Sequence, residues 1–383
     1  MFRIHSKRRD ISLRRENEGS SYSTNFNWSN TIIYKQVFGK HSVNLLGGFE
    51  QRGFTGRSIN ATAKNLFSLD PFYANIANGQ AGQTTANSTF GGLNRIMSFF
   101  GRLDYTYADK YILGATIRRD GSSLFSTGNK WGTFPAVSLA WRVSQEEFLK
   151  GNTWLNDLKI RGSYGTSGYN ANVGVNSAYA AFGGGAGSSS YPIDGSSSSV
   201  IPGYFQNSLG NNKTTWETDK VFNIGFDATF LNHFDVTVEY YKKTISDLLV
   251  NVPLPATVGG SDGAIPAVNF GKVINKGFDI SANYHGASGD FTYSVGANIT
   301  TIKNQITELG APFFTTGIRN GSVVYNQVGG SIGQFYGYKV LGYWNSQAEI
   351  DALNAQQKPD LFGSTPVYQA EAAPGRSNTG RAT

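Results

Sequence analysis

Between Val221 and Phe230 apolar and polar side chains alternate with a period of two. Phe222, Ile224, Phe226, Ala228 and Phe230 fall on one side, and Asn223, Gly225, Asp227 and Thr229 on the other. A tight turn at Leu231-Asn232-His233 follows. The alternation then resumes, with Phe234, Val236, Val238 and Tyr240 opposite Asp235, Thr237 and Glu239. This pattern predicts a β-hairpin with one apolar and one polar face. It recurs around Ala108-Asp109-Lys110, where Phe99, Leu103, Tyr105 and Tyr107 lead in and Tyr111, Leu113, Ala115 and Ile117 lead out. It recurs again around Ala287-Ser288-Gly289-Asp290, between Phe278–Tyr284 and Phe291–Ile299. Phe26, Trp28, Ile32 and Tyr34 precede a turn near Gly39-Lys40, with a returning strand from His41 to about Phe54. Further strands near 132–144, 156–168 and 333–343 bring the expected number to about eleven.

Three features distinguish this pattern from a soluble β-sandwich. The predicted strands run for about 10–17 residues, against about 5–6 in soluble sheets and about 9–11 needed to cross a bilayer. Short connections near 38–41, 108–110, 231–233 and 287–290, with a helix-like segment at 144–151, alternate with long ones near 55–91, 119–131, 169–213, 252–269 and 306–332. Outer-membrane barrels have short periplasmic turns and long outer loops. Finally, Tyr105, Tyr107, Tyr111, Phe230 and Phe234 sit beside the short turns, where an interfacial aromatic girdle belongs. The chain is therefore expected to be all-β, an antiparallel transmembrane β-barrel with apolar faces toward lipid and polar faces toward the lumen. A secreted or surface-anchored all-β carbohydrate-binding or adhesin-like protein is the alternative, and strand length argues against it.

Composition supports this reading. Charged residues make up 15% of the 383, aromatics 14%, and there are 47 glycines. No run approaches 18 apolar residues, so no transmembrane helix is expected. With no cysteine, disulfides and thiolate metal sites are excluded. The net charge is +7, and the first 18 residues hold six basic residues, Arg3, Lys7, Arg8, Arg9, Arg14 and Arg15, against three acidic ones. Without aromatic interleaving or a nucleic-acid module, this start reads as a solvated loop or strand end, and no nucleic-acid partner is expected. His5, His41, His233 and His285 are too far apart for a metal site. There is no Gly-x-Ser-x-Gly elbow, and Gly183-Gly184-Gly185 lacks the Lys-Ser/Thr of a phosphate loop. No catalytic residue and no cofactor is expected. Asp104, Asp227, Glu239 and Asp279 read as lumen charges balanced by neighbours such as Arg102. The loop segment 182–199 is the most biased toward Gly and Ser, and is expected to form a mobile surface loop without a core.

Several blocks together carry a resemblance: WGTFPAVSLAWRVSQEEFLK (131–150), LNDLKIRGSYGTSG (155–168), TTWETDKVFNIGFDATFLN (214–232), VTVEYYKKTISDLL (236–249), PLPATVGG (253–260), NFGKVINKGFDIS (269–281) and GQFYGYKVLGYWNSQAEIDA (333–352). In order and spacing they resemble the SusC/RagA family of TonB-dependent outer-membrane transporters. The resemblance implies a barrel of 22 strands with a plugged lumen. It also implies contact with TonB through an N-terminal region, and a SusD-like surface lipoprotein that closes over the mouth and helps capture oligosaccharides or peptides. Residues 21–355 are expected to supply about eleven strands of that larger barrel, without the plug domain. Residues 1–20 form an atypical basic start and 356–383 an atypical tail, the marks expected of a partial chain whose export signal lies elsewhere. Cargo contact is expected on the long loops. There Phe72, Tyr73, Tyr191, Tyr204 and Phe205 could stack on a sugar ring or hold an apolar peptide side chain. Packing between loops or against the lipoprotein lid is the competing role for these rings.

Overall fold

The computed structural model describes residues 2–10, 15–68, 70–175, 177–184, 189–192, 195, 200–251, 267–310, 313–315, 324–336, 338–343, 346–348, 351–352 and 377–381. The chain divides into two units, residues 1–310 and 311–383. The first is dominated by one antiparallel sheet. Its strands are β1 (Phe2–Asp10), β2 (Arg15–Phe38), β3 (His41–Ala63), β4 (Thr84–Tyr107), β5 (Tyr111–Ser122), β6 (Trp131–Arg142), β7 (Leu155–Tyr169), β8 (Glu217–Phe230), β9 (Phe234–Ser246), β10 (Gly271–Ser288) and β11 (Phe291–Thr300). They lie side by side in chain order, β1 at one end and β11 at the other. A last segment, β12 (Lys303–Leu309), pairs with the upper part of β10 in the register set by β11. Thr301 bridges the two segments, its N–H donating to the Phe278 carbonyl at 2.8 Å. Among the described residues no helix is long and apolar enough to cross a membrane; this says nothing of strands.

Four of the predicted short turns fall where the alternation placed them. Ala108, Asp109, Leu231 and Asn232 have positive φ, as do Gly39 and Gly289. The two-residue turns at 39–40 and 289–290 match the right-handed twist of the flanking strands, whereas the turns at 108–110 and 231–233 have three residues. The helix-like segment is two single 3₁₀ turns, Val143–Gln145 and Glu147–Leu149. All these connections lie at one end of the sheet and the long loops at the other.

Strand length departs from expectation at that second end. β2 and β4 are 24 residues long and β3 is 23. The expected loop over 55–91 shrinks to 64–83, because β3 and β4 stay paired to Ala63↔Thr84. β5 stops at Ile96↔Ser122. Above that level β2, β3 and β4 continue as a wall for roughly 35–40 Å of strand. A bulge at Gly91-Gly92 shifts the β3–β4 register between Thr55 and Arg57, and Gly92 takes φ of +78° there. β10 likewise runs on through Ser288, leaving Gly289-Asp290 as the turn.

The second unit contains two short ribbons, Phe313–Thr315 with Val324–Asn326 and Tyr338–Tyr343 with Ser377–Arg381. The strand expected at 333–343 thus begins at Tyr338 and pairs with Ser377–Arg381. The predicted connection at 252–269 lies largely outside the described residues, as does most of 356–376.

Candidate functional site

The site is a surface with two faces and a mouth. Register carries one apolar row straight across the sheet: Tyr107, Tyr111, Trp141, Ile160, Phe226, Val238, Ile280 and Ile299 are successive partners. This face is open in the chain alone, with Ile224 half exposed and Val295 and Ile299 nearly two-thirds exposed. So much exposed apolar surface is a membrane or partner surface. Here its height and alternation match a bilayer-crossing barrel.

The opposite face carries partnered charges. Asp227 on β8 receives Lys159 Nζ at 2.9 Å and Arg161 Nε at 3.2 Å, both from β7. Arg161 also pairs with Glu239 on β9, and Thr237 donates to Asp227 at 3.1 Å. Higher up, Arg118 on β5 reaches Glu50 on β3 at 3.0 Å, Asp120 at 2.8 Å and the Ser98 hydroxyl at 2.8 Å. Its guanidinium also lies 5.3 Å from the centre of the Phe100 ring. Arg102 meets Asp104 at 2.9 Å, and Asn44 donates to the same carboxylate at 3.1 Å. The expectation that Asp104, Asp227 and Glu239 are balanced by neighbours is realised in these contacts. Charges brought together on one wall are stabilised by such partners, because a partly buried unpaired one is costly.

At the short-turn end the rings form the expected girdle. Tyr107, Tyr111 and Trp141 stack in sequence at 6.4 and 6.5 Å, and Trp154 stacks on Phe230 at 5.8 Å. Glu146, in the connection beyond β6, ties this rim together. It accepts from Lys110 Nζ at 2.9 Å, the Tyr111 hydroxyl at 2.7 Å and Trp141 Nε1 at 3.1 Å. These donors, Lys110 first, hold its carboxyl down at about 2, and the same contact raises the Lys110 ammonium.

At the other end residues of several long loops, outside the Gly- and Ser-rich segment 182–199, meet in a common core. Leu124 and Phe125 from the β5–β6 loop, Val173 and Trp216 from the β7–β8 loop, Phe134 of β6, and Leu249 and Ala267 from the β9–β10 connection are buried together. Trp216 packs on Phe125 and Phe134 at 5.1 and 5.6 Å and donates its indole N–H to the Lys130 carbonyl at 2.9 Å. Side chains also cross between loops, with Ser126 reaching the Asn212 carbonyl at 2.6 Å and Thr214 the Ala267 carbonyl at 2.8 Å. The signal was present in Trp216 and Phe125, but these residues are far apart in sequence and fit no period.

Of the expected cargo residues, Phe72 and Tyr73 meet edge to face at 5.0 Å. Phe67, which the sequence reading did not single out, joins Tyr73 at 5.6 Å. Phe72 is four-fifths exposed, as is Tyr204. Tyr191 lies in the Ser190–Pro192 ribbon, with its ring edge near Gly203. Phe205 pairs in the ribbon with Gly183. Phe72 and Tyr73 thus belong to the β3–β4 loop, whereas Tyr191, Tyr204 and Phe205 belong to the β7–β8 loop. Both groups are at the long-loop end, in separate loops.

An antiparallel sheet with an apolar face, a charged face, an aromatic rim at the short turns and structured long loops defines an outer-membrane β-barrel wall. The family model described as "TonB dependent receptor-like, beta-barrel" matches residues 4–371, and the chain belongs to that family of receptors. It therefore lies in the outer membrane, which it crosses with strands. It is 33% identical over 331 residues to "TonB-dependent receptor P3" of Formosa agariphila, covering 84% of this chain and 32% of that protein. It is 31% identical over 304 residues to "TonB-dependent receptor SusC" of Bacteroides thetaiotaomicron, covering 76% of this chain and 28% of that protein. Among solved structures, the RagAB peptide transporter superposes with a TM-score of 0.74 at 25% identity, over 86% of this chain and 35% of that one. The chain spans about a third of the length of the curated relatives it matches.

Proposed function

We propose that this chain forms part of the wall and outer mouth of a TonB-dependent importer of oligosaccharides or peptides. Its role is transport, with no catalytic step. In this reading a SusD-like surface lipoprotein closes over the long-loop end, and TonB acts through a region N-terminal to the barrel. The observation that carries the reading is the two-faced sheet joined at its long-loop end to loops that share a buried core and carry exposed rings. A lipid-facing wall needs only the apolar face; ordered loops holding aromatics in water need a further reason. The names of SusC and of the RagAB peptide transporter add support and leave both cargo classes open.

Within this reading Phe72, Tyr73, Tyr191, Tyr204 and Phe205 contact cargo or the lid. The test replaces Tyr191, Tyr204 and Phe205 together with Ala in the complete transporter. Uptake or lid affinity should fall while surface abundance and heat-modifiable assembly survive. If both are unchanged at normal abundance, these loops are not the recognition surface.

A further inference from the structure

Strands β8 to β12 separate charge by sign. Glu217, Asp219, Asp227, Asp235, Glu239 and Asp279 all fall on the lumen side, alternating with the residues that face outward. Of the six lysines on these strands, Lys243 alone shares that side, paired with Asp219 at 2.7 Å. The other lysines fall on the outward side. Lys272 there meets Glu308, the one outward carboxylate of these strands, at 2.8 Å. Lys220, Lys242, Lys276 and Lys303 are exposed and make no ion pair among the described residues.

Register brings these four together. Lys242 on β9 is the direct partner of Lys276 on β10, and Lys276 is the direct partner of Lys303 on β12. Lys220 on β8 lies diagonally from Lys242, whose own partner on β8 is Phe222. Neighbouring strands are about 4.8 Å apart, so the row of three spans about 10 Å. Like charges directly opposite one another destabilise a sheet, and no carboxylate of the chain relieves this row. Its countercharge has to come from outside the chain.

Height along the strands selects the anion. Below Lys242 the outward positions are Tyr240, Val238, Val236 and Phe234, and below Lys276 they are Phe278, Ile280, Ala282 and Tyr284. Each run descends to a short turn and measures about 27 Å of strand. At the usual barrel tilt that is about 20 Å along the membrane normal, against an apolar band about 25 Å tall. The ammonium groups, carried upward on flexible stems, therefore stand at the outer edge of the band. Tyr240 and Phe278, with ring centres 5.2 Å apart, form a floor beneath them. Directly below, Ile160, Ile224, Val238, Tyr240 and Phe278 line an apolar groove of about 480 Å³ on the same face.

We infer that the lysine row binds the phosphate-bearing headgroup of a lipid in the outer leaflet, with an acyl chain of that lipid lying in the groove. The long-loop end of such a barrel faces outside, so the leaflet beside the row is the outer one. Phosphate suits several ammonium groups at once, because each acts as a point charge without a fixed fork geometry. A soluble anion would use the lysines alone, whereas an anchored lipid uses both the charge and the groove beneath it. The assignment concerns the outward face and is independent of what the lumen carries.

The test uses the complete transporter purified in detergent, with native mass spectrometry reading the lipid it retains. The probes are a bisphosphorylated, multiply acylated disaccharide lipid (lipid A), the same lipid with its phosphates removed, and inorganic phosphate as a competitor. The triple change Lys242→Gln, Lys276→Gln, Lys303→Gln is compared with the native protein and with Lys272→Gln, whose lysine already has a partner. Heat modifiability reports that each is folded, and the triple variant should fold at least as well as the native protein because it removes a repulsion. The native protein should retain the phosphorylated lipid in preference to the dephosphorylated one. The triple change should weaken retention by about a hundredfold, each lysine near a charged lipid surface being worth about fivefold, and Lys272→Gln should leave it nearly unchanged. Equal retention by the native and triple-variant proteins, or equal retention of the two lipids, would overturn the site. Displacement of the lipid by an equal concentration of inorganic phosphate would show that the row takes free anions and would overturn the lipid assignment. Uptake enters none of these readouts, so each failure leaves the importer reading intact.

Discussion

The membrane-crossing part of the sheet and the wall above it are built from the same kind of ladder, yet their side chains follow opposite rules. Below, from Phe99 on β4 to Ile299 on β11, apolar residues alternate with polar ones, and the charges on the polar face, Arg118, Lys159, Arg161, Asp227 and Glu239 among them, find partners. Above, β2, β3 and β4 read GSSYSTN, GRSINATA and TTANSTFGG, with small polar groups on both faces and few charges. The difference is one of solvent. In hydrocarbon the backbone must be paired and the outward side chains must be apolar. In water the ladder still pairs the backbone, but nothing requires an apolar face. A strand that leaves the bilayer keeps its geometry and loses its hydrophobic period.

The largest test of that contrast places one charge at two heights on the same face. Phe226→Arg near the middle of the span should cost about 2–4 kcal/mol, as lipid-facing cations do at the midplane. Ile59→Arg lies on the outward face of the wall, more than half exposed, and should stay within about 0.5 kcal/mol. Thr229→Arg, on the lumen side of β8, should also be mild. Folding into lipid vesicles measures all three. Equal costs for Phe226→Arg and Thr229→Arg would defeat the assignment of faces, and a large cost for Ile59→Arg would put the wall inside the bilayer.

The next effect belongs to the charged face. Arg161 is about one-third exposed and serves two carboxylates, so Arg161→Met leaves Asp227 with Lys159 and Glu239 with no cation from β7. A loss of about 1–3 kcal/mol is expected, less than for a fully buried pair because water reaches the site. Asn60→Ala, on the same face of the wall, should cost about 0.5 kcal/mol or less. A double change of Arg161 and Glu239 that costs no more than Arg161→Met would show that the penalty is the stranded charge. Purely additive costs would contradict the network.

Glycine gives a smaller and sharper contrast. Gly53→Ala drives a methyl into the Phe26 ring and should cost about 1–2 kcal/mol through the ring's displacement. Gly56→Ala, three residues along on the same strand, should be neutral or stabilising by up to about 0.5 kcal/mol, since Ala removes unfolded-state freedom. Urea midpoints in detergent would separate the two. Matching penalties would mean that Gly56, opposite the bulge at Gly91-Gly92, is needed by the fold.

These contrasts also explain what the sequence could and could not disclose. The hairpins at 108–110 and 231–233 were legible because hydrocarbon writes a period of two into their flanks. The pairing of Asp104, Asp227 and Glu239 followed from their place on the polar side. The upper halves of β3 and β4 read as a loop in the sequence because Ser, Asn, Thr and Gly carry turn signals and no period. The loop core was hidden for another reason: Leu124, Trp216 and Leu249 meet through tertiary contact between loops, which no local pattern records. For the cargo residues the sequence marked exposed rings in loops, but their grouping, Phe67 with Phe72 and Tyr73, required the fold.

The rim at the short turns lies between the two regimes, and its effect should be the smallest. Glu146 sits where the aromatic girdle meets water and binds Lys110, Tyr111 and Trp141 together. Its carboxyl is held at about 2 in the folded chain, against an ordinary value of 4.5. A carboxylate whose folded value is depressed contributes stability above its unfolded value and loses it as pH falls through the folded one. The contribution should therefore be complete above about pH 4.5 and fade as pH falls toward 2, a window fixed by those two values. Other carboxylates titrate in the same range, so the comparison that isolates Glu146 is with Glu146→Gln. The native protein should be the more stable above this window, and the gap should close within it. Salt should narrow the gap as well, since the group faces water. Trp141 emission during unfolding at a series of pH values reports the effect locally, because its indole N–H is one of the donors. If native and Glu146→Gln proteins lose stability in parallel across the window, Glu146 does not tie the rim, and the stacked rings hold it without the carboxylate.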